Sequence, residues 1–370
     1  MKEIIKRLND SAYIAPLSPA CEMCGNGSKL VVLITGLCPA KCFYCPLSFE
    51  KGGKDRIFAD EWELDNENDT EKLIREAEYI KATGAGITGG DPLAVWKRTE
   101  KYISLFKDTF GSKFHIHLYT SGIQNGEHVA DLVSSGLDEI RFHPSYRYWR
   151  NMKKSPILHT ITHSLEISTD VALEIPVIPG MENEIFSLIK WANDLGIKWI
   201  NLNELEYAER NADSFNSLNY TVKDDISAAV DESQELAYHL LDNIVQSDLE
   251  IGVHYCSSSF KDGVQLTNRI KRRAKSVVQN HEVITDDGTL LKGAIYAEIH
   301  LQELYELLKQ EFDIDDNYIV LNKLKKRIEL PLWLLEKIAP ELKKRGFDCY
   351  MVEEYPTADG LEVERTPLPL

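Results

Sequence analysis

The 370-residue chain reads as an α/β protein: a parallel sheet closed or partly closed into a barrel, followed by a small α+β domain. Three observations predict this. Seven short apolar, β-branched runs alternate with helical patterns from residue 29 onward, at roughly 25–35 residues per unit, the spacing of a strand and its crossover helix. No GxGxxG follows the first run, which disfavours an open dinucleotide-binding sheet. Beyond about residue 280 the alternation gives way to shorter strands and two helices. The predicted divisions are a lead-in at 1–28, the barrel at 29–278 and the α+β domain at 279–370.

The elements follow in order. Residues 29–36 (KLVVLITG) form a buried strand, a β-branched run closed by Gly. The acidic stretch 60–69 reads as a solvated loop, and helical periodicity begins near Thr70 and runs to about Lys81. Further strands are predicted at 86–88, 114–119, 138–143, 171–177, 199–204 and 250–255, with helices near 94–108, 126–135, 157–168, 183–195 and 222–245. The terminal domain is read as strands at 282–285, 290–296, 318–321 and 347–352 around helices near 300–312 and 332–345. In a barrel the chemistry collects where strands end, which gathers the segments after Gly36, Thr88, Tyr119, His143, Val177, Glu204 and Tyr255 at one mouth.

Composition narrows the function. The net charge of −17 disfavours non-specific binding to nucleic acid or an anionic membrane, although the acid excess falls before residue 250 and the last third is nearly balanced. No run reaches the roughly 18 apolar residues of a membrane helix, and no apolar signal core opens the chain, so a cytoplasmic location is expected. Seven cysteines are too sparse for a disulfide scaffold at this length, and five of them crowd into residues 21–45, which points to metal.

Directly after the first strand stands Cys38-Pro-Ala-Lys-Cys42-Phe-Tyr-Cys45. Three thiolates in eight residues can wrap one face of an iron–sulfur cube, leaving one iron without a protein ligand. An open coordination position marks a reactive centre. The competing readings are a zinc knuckle, which prefers CxxC pairs, and an electron-transfer cluster, which needs a fourth Cys nearby.

CxxxCxxC with an aromatic before the third Cys (Tyr44) resembles the radical S-adenosylmethionine (SAM) superfamily. Gly89-Gly90-Asp91-Pro92 is similar to that family's GGEP-type motif, with Asp in place of the more usual Glu; the motif's role belongs largely to backbone carbonyls that hold the SAM amino group. Tyr119-Thr120-Ser121-Gly122 looks like a TNG-type contact to ribose or carboxylate, so Thr120 and Ser121 join the implied set. Pro176-Val-Ile-Pro179-Gly180 is similar to the turn beside adenine in pyruvate formate-lyase activating enzymes. The resemblance covers about residues 20–260 and lies nearest to a group of archaeal proteins described as related to those activating enzymes. It implies a partial (β/α)6-type TIM barrel, a [4Fe–4S] cluster on Cys38, Cys42 and Cys45, SAM as cofactor, and a low-potential donor of the ferredoxin or flavodoxin type. It also implies reductive cleavage of SAM to methionine and a 5′-deoxyadenosyl radical that abstracts hydrogen from a substrate.

Strand phase adds candidates, because alternate side chains share a face. Arg141 with His143, His115 with His117 and Tyr119, Glu174 with Pro176, and Asn201 with Asn203 repeat polar residues on one phase, where an all-parallel strand is usually apolar. Arg141 is assigned to the SAM carboxylate and Glu174 to SAM or substrate, with His143, Asn203 and Glu204 as substrate contacts. Cys21-Glu-Met-Cys24-Gly25, with His254 and Cys256 at the last barrel strand, makes a candidate second site for zinc or an auxiliary iron–sulfur cluster, against a reading of unrelated thiols. Basic runs at Arg269–Lys275 and Lys323–Arg327 are solvated or ion-paired faces, or else a grip for RNA or another phosphorylated partner, though no stacking aromatics interleave with them. Three functions compete: a radical SAM enzyme acting on an RNA, protein or metabolite, a glycyl-radical activase, and a cluster protein serving as scaffold or electron carrier.

Overall fold

The computed structural model describes residues 2–167, 169–297 and 300–368, and the chain divides into two compact units, Met1–Leu266 and Thr267–Leu370. The helix Thr267–Val277, expected in the barrel, belongs to the second unit, where Lys271 lies against the Gly288 turn.

The first unit is built on one sheet of eleven strands. They are β1 (Ile5–Lys6), β2 (Ala12–Ile14), β3 (Lys29–Thr35), β4 (Phe58–Ala59), β5 (Trp62–Glu63), β6 (Gly84–Gly89), β7 (His115–Thr120), β8 (Glu139–Phe142), β9 (Asp170–Val177), β10 (Trp199–Glu204) and β11 (Gly252–Cys256). Their spatial order is β1-β2-β11-β10-β9-β8-β7-β6-β3-β4-β5. From β3 through β6 to β11 every pairing is parallel, and from β6 to β11 each is between chain-order neighbours. β11 pairs with β2 and not with β3, so the sheet stays open, and the antiparallel hairpins β1–β2 and β4–β5 cover its two ends.

Strand phase decides what this sheet can do. One phase is continuously apolar (Leu30, Val32 and Ile34 on β3, Ile116 and Leu118 on β7, Leu173 and Ile175 on β9, Ile200 and Leu202 on β10) and is buried in a single core. Each such side chain contributes roughly 1.5–3 kcal/mol on burial. The helices supply matching stripes: Trp96–Phe110 buries Thr99, Tyr102, Ile103 and Phe106, and Glu182–Leu195 buries Ile185, Leu188, Ile189 and Ala192 before Gly196 ends it in the left-handed conformation. The opposite phase carries the polar residues, and the register sets Tyr119 beside Arg141, Glu174 beside Asn201, and Asn203 beside Cys256.

The predicted helix at 222–245 forms only over Ser233–Val245. The preceding residues instead return their backbone to the chain after β10, where Tyr207 N–H donates to Ala228 O (2.8 Å) and Val230 N–H to Leu205 O (2.7 Å). No helix among the described residues is long and apolar enough to cross a membrane.

The second unit is an antiparallel sheet of β12 (Val283–Ile284), β13 (Leu290–Tyr296), β14 (Val320–Asn322), β15 (Arg327–Leu330), β16 (Asp348–Glu354) and β17 (Glu362–Leu368). The order is β14-β15-β13-β16-β17, with β12 on β13, and the helices Leu301–Glu311 and Leu332–Lys344 share its apolar core. Away from that core lies a buried ionic network. Lys292 Nζ meets Glu282 (2.6 Å), Glu354 (3.0 Å) and Glu329 (3.5 Å), and Arg327 meets Glu329 and Glu354 at 2.7 Å each. Lys325 pairs with Glu354 at 2.7 Å, and Arg273 and Arg327 are buried, so these three of the nine basic residues in the two runs are engaged inside the fold.

Candidate active site

The ends of β3 and β6–β10 surround a cavity of about 270 Å³, close to the lower edge of small-molecule sites, roughly 300–1,000 Å³. Cys38, Cys42 and Cys45 line it from the segment that follows β3. Cys38 is exposed and the other two are half-buried. Burial pushes the Cys38 thiol up to about 11; one backbone N–H from Ala40 opposes this, while Asp91 and the Cys42 and Cys45 sulfurs reinforce it. The three sulfurs therefore share one site, and a bound metal reverses that penalty by holding them as thiolates. The spacing selects the metal's nuclearity. Among the described residues, the one set of three His, Cys, Asp or Glu ligand atoms all within 4.8 Å of one another is His281, Glu282 and Glu329 in the second unit. Tetrahedral zinc, with Zn–S bonds of about 2.3 Å, holds its sulfurs roughly 3.8 Å apart. The wider Cys38–Cys42–Cys45 triad fits a multi-iron cluster. The His281 set is already satisfied by the Lys292 ammonium and is no metal site.

Across the cavity the backbone of Gly89 and Gly90 approaches the end of β3 closely. A Cβ on Gly90 would stand 2.2 Å from Leu37 O, and one on Gly89, whose φ is +129°, would stand 2.3 Å from Thr35 O. Asp91 holds this corner together. Fully buried, it accepts from Thr120 Oγ1 (2.6 Å), Leu93 N–H (3.1 Å), Ser121 N–H (3.2 Å) and the Ser121 hydroxyl. Thr120 and Ser121 line the cavity, but Asp91 and Pro92 do not; Asp91 ties β6 to β7 from behind. Pro176, rather than the predicted Pro179, faces the cavity, since Pro176 lies on β9 and Pro179 in the turn beyond it.

The floor is a connected polar tier. Arg141, 2% exposed, donates from Nε to Glu139 Oε1 (2.5 Å), from Nη1 to Glu174 Oε2 (3.0 Å), and from Nη2 to Ser18 Oγ and Cys21 Sγ (3.4 Å). Four of its five N–H donors are thus engaged inside the protein, while its side chain also lines the cavity where the predicted SAM carboxylate would lie. Glu174 Oε1 accepts from Asn203 Nδ2 (2.9 Å), and Asn203 Oδ1 from Asn201 Nδ2 (2.8 Å). His143 Nδ1 lies 2.8 Å from Glu174 O, an acceptor only, so that nitrogen carries the proton and Nε2 accepts from Tyr44 OH at 2.9 Å. Burial lowers the His143 pKa, outweighing the Glu174 carbonyl and carboxylate, and keeps the ring neutral. Glu204 lines the cavity while accepting from Ser258 N–H (2.7 Å) and facing Lys223 (3.5 Å). Sequence reasoning missed Glu206 and Lys261, which line the same cavity 3.3 Å apart. Their elements lie far apart in the chain, and no local pattern links them.

Cys21, Cys24, His254 and Cys256 do come together, around a second chamber. His254 is not free to bind a metal there: Nδ1 lies 2.6 Å from Asn201 Oδ1 and Nε2 3.2 Å from Ser11 Oγ.

Comparison with known proteins now decides the family. A family model described as the radical SAM superfamily matches residues 32–203, and one described only as a domain of unknown function matches 288–368. A Methanocaldococcus jannaschii protein, named "Putative glycyl-radical enzyme activating enzyme", is 38% identical over all of this chain and 96% of its own length. The chain belongs to the radical SAM superfamily. It is therefore an enzyme, and the family carries SAM and an iron–sulfur centre. A GTP 3′,8-cyclase of Staphylococcus carnosus is 26% identical over 45% of this radical SAM chain and 50% of its own. Among solved structures, Streptococcus suis SuiB bound to S-adenosylmethionine matches 62% of the chain (TM-score 0.44, 10% identity), and SuiB bound to precursor peptide SuiA matches 64% (TM-score 0.46, 11% identity). The chain spans about half the length of those SuiB structures. The likeness is loose.

Proposed function

We propose that this radical SAM enzyme holds a [4Fe–4S] cluster on Cys38, Cys42 and Cys45 in a partial TIM barrel and binds SAM in the cavity above Arg141 and Glu174. The single observation that carries this is one cavity lined by all three cysteines, by Gly89 and Gly90, and by Thr120 and Ser121. When bound, the reduced cluster supplies the electron that splits SAM into methionine and a 5′-deoxyadenosyl radical, which takes a hydrogen atom from the substrate. The chain's own residues position and shield. The Gly89–Gly90 backbone, locked by Asp91, presents carbonyls to the SAM amino group. Thr120 and Ser121 face the ribose or carboxylate, and Pro176 the adenine. Glu174 and Asn203, fixed by Arg141 and Asn201, offer polar contacts to SAM or substrate from below. Neutral His143, clamped by Tyr44 and the Glu174 carbonyl, accepts rather than donates at Nε2, next to the cluster loop. The electron comes from a ferredoxin or flavodoxin in a cytoplasmic setting.

A second reading, glycyl-radical activation, is favoured by the name of the 38% identical relative. The test is anaerobic reconstitution, reduction, addition of SAM and chromatography for 5′-deoxyadenosine. Addition of a glycyl-radical protein, with electron paramagnetic resonance for its backbone radical, separates the readings. No 5′-deoxyadenosine from protein with a reducible cluster favours the carrier alternative.

A further inference from the structure

Beneath the SAM cavity lies a chamber of about 190 Å³, closed on one side by the helix Pro19–Gly25. The two spaces share the tier of Tyr119, Arg141, Glu174, Asn203 and Lys261. A single water needs only about 10–15 Å³ of such space. The interior of a parallel barrel is ordinarily filled by layers of branched apolar side chains. This one is instead hollow and lined with three sulfurs from two distant parts of the chain.

Two of the three sulfurs face a nitrogen and the third an amide oxygen. Arg141 Nη2 lies 3.4 Å from Cys21 Sγ, and Gln265 Nε2 donates to Cys256 Sγ at 3.4 Å while the same amide's oxygen accepts from Cys24 at 2.9 Å. The Lys29 ammonium also faces the chamber, and among the described residues no carboxylate lies within 4.0 Å of it; Tyr119 OH stands 3.3 Å away. A half-buried ammonium with no carboxylate within 4.0 Å calls for another anion, and a metal-bound thiolate is one. Hydrogen bonds from N–H groups to ligand sulfurs are what iron–sulfur sites use to hold and tune a cluster.

We propose that Cys21, Cys24 and Cys256 ligate a second iron–sulfur cluster in this chamber. The three sulfurs are not all within 4.8 Å of one another, and His254 is committed to Asn201 and Ser11. The cluster fastens the helix Pro19–Gly25 to β11, across the gap where the sheet fails to close. The 261–266 turn, which packs on that helix, carries the Gln265 contact.

The test uses the full chain with C38A, C42A and C45A together, which removes the first cluster without touching the chamber. After anaerobic reconstitution, iron, sulfide and zinc are counted and the Mössbauer spectrum recorded. The proposal expects iron and sulfide to remain at one cluster's worth, about four of each for a cube, and to fall to near zero when C24S or C256S is added. A thermal melt shows that each variant is folded. A folded triple variant with no iron overturns the proposal, as does one zinc per chain in place of iron. Iron retained by folded variants that also carry C24S and C256S refutes the ligand set. Because the readout is metal content in a protein that has lost its first cluster, failure here leaves the SAM reading standing.

Discussion

Replacing Asp91 by Ala removes the one acceptor that joins the Gly89–Gly90 corner to the end of β7. Four donors lose their partner at once: two hydroxyls, from Thr120 and Ser121, and two backbone N–H groups, from Leu93 and Ser121. A hydrogen bond to a charged group contributes roughly 1.5–3 kcal/mol net, and these four share one carboxylate, so their losses do not simply add. Leaving these neutral buried donors without an acceptor costs about 3–5 kcal/mol in all, at roughly 1–3 kcal/mol for each that stays unsatisfied. For a unit of this size that lowers the melting temperature by on the order of 10 °C. The second consequence is functional: with β6 and β7 uncoupled, Gly89, Gly90, Thr120 and Ser121 lose their fixed spacing and SAM affinity falls at least about tenfold, or 1.4 kcal/mol. Differential scanning calorimetry and isothermal titration with SAM measure both. Asn is expected to rescue only in part, because its Nδ2 must face the Ser121 donors. An Asp91→Ala protein that melts within about 2 °C of the parent and binds SAM with unchanged affinity refutes the reasoning.

Other expectations follow from individual contacts. Gly90→Ala sets a Cβ 2.2 Å from Leu37 O, which costs roughly 1–3 kcal/mol and weakens SAM binding; titration checks it, and wild-type affinity contradicts the close approach. Tyr44→Phe removes the 2.9 Å bond to His143 and lowers stability by about 1 kcal/mol in denaturant titration, with the iron content of the loop cluster unchanged. In the second unit, burial pushes the Glu329 carboxyl up, but the bond from His281 and the charges of Lys292 and Arg327 outweigh it and hold its pKa well below the usual range. A carboxyl depressed in the folded state gives stability that is present above the unfolded pKa, about 4.3, and is lost as pH falls below it. Glu329→Gln is therefore expected to cost about 3–5 kcal/mol at neutral pH and to flatten the acid limb of the stability curve; an unchanged acid limb sinks that account.

Much of this was legible in the sequence, for a physical reason. Short runs with apolar residues on at least one phase read as strands, so 199–204 and 290–296 were bounded as they fold. The cysteine loop and the Gly89–Gly90 corner declared themselves because each lies within a few residues of chain. What failed was long-range. The hairpin β1–β2 and the helix Pro19–Gly25 carry no periodicity; β2 is held by β11, some 240 residues away, and the helix by β3, β6, β7 and the 261–266 segment. β15 hid inside a basic run because its Arg327 and Glu329 are buried as a pair, which hydropathy reads as surface. His254 looked like a ligand because its partners, Ser11 and Asn201, are invisible from its neighbourhood. Arg141 pairs with Glu139, two residues before it on the same strand, but its second carboxylate, Glu174, could be known only from the register of β8 against β9.

The central claim is that Cys38, Cys42 and Cys45 hold the cluster that cleaves SAM. Its most direct test is 5′-deoxyadenosine formation by the anaerobically reconstituted, dithionite-reduced chain, measured beside each single Cys→Ala variant. The account predicts product from the parent and none above background from C38A, C42A or C45A, while C349A, in the second unit, matches the parent. Product from any of the three loop variants at the parent's rate, or none from a parent shown to hold a reduced cluster and bound SAM, contradicts it.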